Sequence, residues 1–193
     1  MKTFNISRPR LALAAIAIAA VMFNGCSEDS PVDPPNDVEH PEPTRMVLIL
    51  VNSTDGADSA QATWQDADGI GGNAPSRIDT LRLKQGATYN GVLRLYNDQQ
   101  SVEVTPFIKE EGDQHQFFYT PSAPIAGRVN VTITDKDAKN LPLGLSYTVA
   151  VGAGDPAAGA LNVVLGHYDD APKDGTTRSP ESDIDVDIPV LIR

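Results

Sequence analysis

From Arg45 onward, apolar residues recur mainly at every second position, and the runs are separated by Gly, Pro, Asp and Asn. That is the period of strands with one buried face. Met46 to Val51 is a continuous apolar run, short enough for a strand buried on both faces. After an Asp55-Gly56 turn signal, Ala60, Ala62 and Trp64 alternate with polar neighbours, which predicts a hairpin partner. Ile78 to Lys84 and Thr88 to Asn97 read as two strands around Gln85-Gly86. Val102 to Lys109 alternates as far as Pro106, which predicts an edge strand or a bulge. His115 to Thr120 follows, then Val129/Val131/Ile133, Leu145/Tyr147/Val149/Val151, Leu161/Val163/Leu165 and Ile184/Val186/Ile188, before Pro189 to Ile192. No segment after residue 26 sustains a helical stripe over three turns. The pattern predicts one all-β, Ig-like antiparallel sandwich of about nine or ten strands over residues 45–193. A closed barrel is the alternative. The strands are short and lack aromatic girdles, which disfavours a transmembrane barrel.

The chain before Arg45 follows another rule. Lys2, Arg8 and Arg10 precede an uncharged apolar run from Leu11 to Phe23. As a helix this run covers about 20 Å, short of the ~30 Å a bilayer core requires, so it predicts a signal peptide rather than a span. Its end, Phe23-Asn24-Gly25-Cys26, resembles the lipobox of bacterial lipoproteins. That resemblance implies cleavage after residue 25 and lipidation of Cys26, with ordinary signal-peptidase cleavage as the alternative. Several acyl chains would anchor stably, each buried CH₂ contributing ~0.8 kcal/mol. Ser27 in place of Asp implies the outer membrane by the same resemblance, and Glu28 with Asp29 resembles export signals of surface-displayed lipoproteins. Residues 27–44 hold five prolines and six acidic residues, which predicts an extended tether reaching ~55 Å at most. His40 reads there as a solvated linker histidine.

Charge and cysteine content narrow the partners. Removing residues 1–25 takes away three of fifteen basic residues and none of twenty-six acidic ones, leaving a net charge of −14. A surface of that sign repels phosphate backbones, so no nucleic-acid partner is expected. Cys26 is the only cysteine, so no internal disulfide is possible. A monomer is the expected state.

Three stretches carry a further resemblance: Trp64-Gln65-Asp66-Ala67-Asp68-Gly69-Ile70-Gly71-Gly72, then Gly112-Asp113-Gln114-His115-Gln116-Phe117-Phe118-Tyr119, then Asp183-Ile184-Asp185-Val186. Over most of Met46–Ile192 the chain is similar to small acidic bacterial outer-membrane lipoproteins that commonly neighbour TonB-dependent receptors. Some members carry the label of a type 1 periplasmic-binding fold. That fold needs two α/β lobes with crossover helices, for which this chain has neither the length nor the helical pattern.

Candidate chemistry is sparse. His115 shares a strand face with Asp113, Phe117 and Tyr119, and His167 shares one with Leu161, Val163 and Leu165. With Glu111 and Asp113 nearby, the two histidines suit a zinc or copper site of nitrogen and oxygen ligands. The alternative is two unrelated histidines, one packed and one exposed. Asp66/Asp68 and Asp135/Asp137 each place carboxylates two apart in a turn-rich loop, which fits calcium or a plain turn. Asp183, Asp185 and Asp187 read as an exposed charge row guarding a sheet edge. There is no GxSxG, HExxH or Gly-rich phosphate loop, and the reading is a non-enzyme. The expected function is a lipid-anchored binding protein at the outer membrane or cell surface, accessory to a TonB-dependent receptor and capturing a metal ion, metal complex or small nutrient. The alternative is an adhesive or structural surface module recognising protein or glycan, rigidified by calcium.

Overall fold

A computed structural model describes residues 40–69, 71–169 and 171–193. The leader, Cys26 and the tether up to residue 39 lie outside the described residues. Alternation becomes architecture most directly in β1 (Arg45–Asn52), where Met46, Leu48 and Leu50 are buried while Val51 is exposed. The run read as buried on both faces is therefore covered mainly on one. β1 pairs antiparallel with β2 (Ser59–Gln65) on one side and β5 (Thr88–Asn97) on the other. β3 (Arg77–Ile78), β6 (Val102–Glu103), β8 (Val129–Ile133) and β9 (Ser146–Val151) extend this into a sheet of order β3-β2-β1-β5-β9-β8, with β6 also on β5.

A second sheet runs β4-β11-β10-β7, formed by β4 (Leu81–Leu83), β7 (His115–Pro121), β10 (Ala157–His167) and β11 (Glu181–Ile192). Its pairs are antiparallel except β4 with β11, which run parallel. The core takes Ala62 and Trp64 from β2, Leu93 and Leu95 from β5, Tyr147 and Val149 from β9, and Leu161, Val163, Ile184 and Ile188 from the second sheet. The protein is thus nearly all β, with two mostly antiparallel sheets around one apolar core, consistent with a β-sandwich.

One expected strand is a helix. Residues 102–109 continue from β6 into α1 (Thr105–Glu110), a six-residue helix that buries Ile108. Pro106 lies in its first turn, where the missing N–H breaks no helical hydrogen bond and the fixed φ already suits a helix. The Val102-Glu103-Val104 alternation was too short to tell the two periods apart.

The segment read as the end of a tether is packed as well. Thr44 N–H donates to Tyr96 O at 2.9 Å, Asp66 N–H donates to Thr44 O at 2.9 Å, and Asn97 Nδ2 donates to Glu42 O at 2.8 Å. Residues 40–44 therefore lead into β1 along the sheet, with Pro43 and Thr44 buried. Their backbone groups find partners there, which the Pro-rich composition did not show.

Candidate metal centre

Four elements converge at one end of the second sheet. β7 and β10 pair so that His115 stands directly opposite His167, which puts both rings on one face. Their centroids lie 4.5 Å apart, stacked at 22°. On β11 the register with β10 slips between Leu165 and Gly166: Leu165 faces Ile184, while Gly166 faces Ser182. Asp183 is the extra residue at this bulge. A bulge re-aims its side chains, and here it turns Asp183 away from the row of Asp185 and Asp187 toward the histidines. His40 arrives from the segment ahead of β1, its ring 4.9 Å from that of His115 and edge-on to it.

The expected solvated His40 is only 8 % exposed, and His115 is 0 % exposed. The expected surface position of Asp183 is likewise replaced by a largely buried one. In contrast, Asp185 bonds Asn162 and Arg178, and Asp187 bonds Asn162, so the rest of the row stays at the surface as expected. His40 was hidden by its Pro-rich surroundings and Asp183 by perfect alternation. Only the bulge breaks that alternation, and no residue type in Ser182-Asp183-Ile184 announces it.

Ring-nitrogen geometry decides what the cluster can do. His115 Nδ1 lies 3.1 Å from Glu111 O, and His40 Nδ1 lies 3.3 Å from Pro41 O. A carbonyl only accepts, so each Nδ1 carries the hydrogen and each Nε2 of the neutral ring presents a lone pair. These two Nε2 atoms are 3.1 Å apart. Asp183 Oδ2 lies 3.4 Å from His115 Nε2 and 3.5 Å from His40 Nε2, yet it is buried and makes no hydrogen bond of good geometry among the described residues. With both rings neutral, three acceptor atoms face one another in this buried triangle, an arrangement that a shared proton or a metal ion relieves. A tetrahedral zinc ion with bonds near 2.0–2.1 Å needs ligand–ligand edges of about 3.3 Å.

His167 completes the set from the side. Its Nε2 faces Asp169 Oδ1 at 3.0 Å and its Nδ1 faces Asp183 Oδ1 at 3.3 Å. Donation of Nε2–H to Asp169 leaves Nδ1 as the inward lone pair. Each of the three histidines therefore has its outer nitrogen engaged by a carbonyl or carboxylate, the second layer that fixes ring orientation and tautomer at metal sites. His115, His167 and Asp183 offer ligand atoms all within 4.8 Å of one another, and so do His40, Glu111 and His115. The donor set fits a divalent ion of the zinc or copper kind.

Electrostatics agree with the geometry. Burial pushes the Asp183 carboxyl up, but His115, His40 and His167 outweigh it and hold the group well below the usual carboxylate range. Burial pulls His40 down, but the Asp183 carboxylate outweighs it and the imidazole is raised. Asp183 thus stays a carboxylate and favours a positive charge beside it, on the His40 imidazole or on a bound ion.

The remaining candidates divide. Glu111 stands at the rim, Oε2 4.0 Å from His115 Nδ1. Asp113 does not join the histidines; Lys139 Nζ takes its carboxylate at 2.9 Å. Asp135 and Asp137, expected as calcium ligands or a plain turn, are engaged by neighbouring donors. Asp135 Oδ1 accepts Gly144 N–H at 2.8 Å, Asp137 Oδ1 accepts the N–H groups of Lys139 and Leu141, and Asp137 Oδ2 pairs with Lys173 at 2.8 Å. Turn geometry consumes these oxygens. Lys173, absent from the sequence reading, also donates to Gly112 O and His115 O at 2.7 and 2.9 Å. It thereby pins the start of β7, where His115 sits.

Comparison of the chain with known protein families, with characterised proteins and with solved structures finds no match.

Proposed function

We propose that this chain is a binding protein that captures a divalent transition-metal ion, zinc or copper, through His40, His115, His167 and Asp183. The observation that carries the reading is the buried grouping of the His40 and His115 Nε2 atoms with an Asp183 oxygen that has no hydrogen-bond partner among the described residues. With no thiolate or thioether in the set, three imidazoles and a carboxylate favour Zn²⁺ or Cu²⁺ over Cu⁺. The groups are largely covered, which suits holding an ion better than water-activating chemistry, where a coordination position stays open to water.

The wider setting belongs to the same proposal. A lipid anchor at Cys26 would hold an Ig-like sandwich at the outer membrane or cell surface, and a TonB-dependent receptor is the partner to which a captured metal ion or metal complex would pass. What supports this is the leader pattern and the family resemblance together with a metal-type site. Elemental analysis of the chain purified without chelator, beside the double variant His115→Ala/His167→Ala, tests the binding reading. The expected result is near-equimolar zinc or copper that the double variant loses. A folded, metal-free protein that gives no heat on titration with micromolar zinc or copper would sink it.

A further inference from the structure

β2 loses its neighbour where the chain changes sheets. β3 covers β2 only at Trp64 and Gln65, and Asp79 adds one more position. Its N–H donates to Thr63 O at 2.9 Å, and its carboxylate accepts Thr63 N–H at 3.1 Å. Leu81 then begins β4 in the second sheet, so no strand continues the ladder beside Gln61 and Ser59. The register with β1 fixes where their backbone groups point. Asn52 N–H donates to Asp58 O and Asp66 N–H donates to Thr44 O, so the even-numbered residues of β2 bond β1 and the odd-numbered ones face outward. The result is a groove of about 540 Å³ whose lining includes Ser59, Gln61, Arg77, Ile78, Arg82 and Arg193.

The charge of this groove runs against that of the chain. Fifteen basic residues stand against twenty-six acidic ones overall, yet three arginines line the groove and Asp79 is its only carboxylate side chain among the described residues. Asp79 is already engaged: Arg77 takes it through Nε at 3.0 Å and Nη2 at 2.8 Å, a two-pronged clamp. Arg82 and Arg193 have no such partner. Among the described residues the ion-paired arginines are Arg45, Arg77, Arg94 and Arg178. The backbone of Arg193 is tied down beside β4, its N–H donating to Leu83 O at 2.9 Å and its O accepting Gln85 N–H at 3.0 Å. Ile78, 45 % exposed, adds an apolar surface.

The protein thus shows how this edge holds a carboxylate: one strand N–H, from Thr63, and one guanidinium, from Arg77. Two residues along the strand, about 7 Å away, the N–H of Gln61 faces the same way. Two unpaired guanidiniums line the groove with it, and no carboxylate of the chain fills the place. We propose that the groove binds a small organic anion carrying two or more carboxylate groups, held by Gln61 N–H and by Arg82 and Arg193. Two outward-facing residues are too few to take on a peptide strand, and the volume is that of a small-molecule site. The groove shares no residue with the histidine cluster.

The test is titration of the purified chain with propane-1,2,3-tricarboxylate at neutral pH and constant ionic strength, followed by calorimetry and by the amide resonances of Ser59 and Gln61. This probe lacks the hydroxyl through which citrate grips metal ions. Saturable binding with a Kd below about 1 mM is expected, with shifts at both amides, and equally in His115→Ala. Arg82→Gln/Arg193→Gln should weaken it at least about tenfold, while Lys109→Gln/Lys136→Gln, which removes the same charge away from the groove, should stay within about twofold. Both arginines are exposed, so their variant keeps the fold, which far-UV circular dichroism checks. No saturable binding at about 10 mM, an equal loss in the lysine variant, or equal binding of inorganic phosphate would each overturn the proposal.

Discussion

Lys173 shows how much a single side chain can decide at the residue scale. Its ammonium is buried, and each of its three hydrogens has an acceptor: Gly112 O, His115 O and the Asp137 carboxylate. Removing one partner of such a pair leaves the other charge buried and uncompensated. Lys173→Met is therefore expected to destabilise the fold by about 3–5 kcal/mol in urea unfolding at neutral pH. The same pair sets an acid limit. Burial pushes the Asp137 carboxyl up, but Lys173 and the loop N–H groups outweigh it and hold it below its ordinary 3.8. A group depressed on folding contributes stability that is full above its unfolded value and is lost as pH falls through the folded one. The parent chain should lose Tm more steeply below about pH 4 than Lys173→Met, which has less of this contribution to lose. Sequence reasoning passed over Lys173 because a lysine between Pro172 and Asp174 looks like any solvated loop cation. It also placed Asp137 in a cation loop, since spacing alone does not say whether a carboxylate is already occupied.

Elements place the site where residue types do not. The cross-strand pair His115–His167 follows from the register of β7 with β10, and register follows from burying Phe117 and Leu165 on the core face. Asp183 depends on the bulge in β11. Deleting Ser182 removes the extra residue, so Asp183 would pair opposite Gly166 and point with Asp185 toward solvent. The expected outcome is a folded sheet by far-UV circular dichroism whose zinc affinity, by calorimetry, falls at least about tenfold. Retained affinity would mean that the histidines alone hold the ion. Strand alternation made most strands legible, since a half-buried strand must show it, but Ile78 to Lys84, read as one strand, divides into β3 and β4 in different sheets. It failed at Thr105–Glu110, where a six-residue helix offers too few positions to display a 3.6 period.

At the scale of the whole molecule, the candidate metal centre joins residues far apart in the chain: His40 ahead of β1, His115 on β7, His167 on β10 and Asp183 on β11. An ion bound only by the folded state adds its binding free energy to stability. A fragment beginning at Arg45 keeps every strand but lacks His40. It should fold, bind zinc with an affinity reduced at least about tenfold, and gain correspondingly less Tm from excess zinc than the longer chain. Equal zinc stabilisation of the two would remove His40 from the site.

Local period and composition account for one part of this protein. The all-β class, the placement of most strands, the acidic surface and the candidacy of His115 and His167 all follow from side-chain alternation, turn residues and residue chemistry. Which of these groups meet is settled by long-range packing. A one-residue slip in β11 turned Asp183 inward, packing of residues 40–44 along the sheet brought His40 to His115, and the Asp135–Asp137 carboxylates were spent on their own turn and Lys173. Those outcomes depend on partners many residues away, and the hydrogen-bond capacity of a side chain carries no record of who fills it.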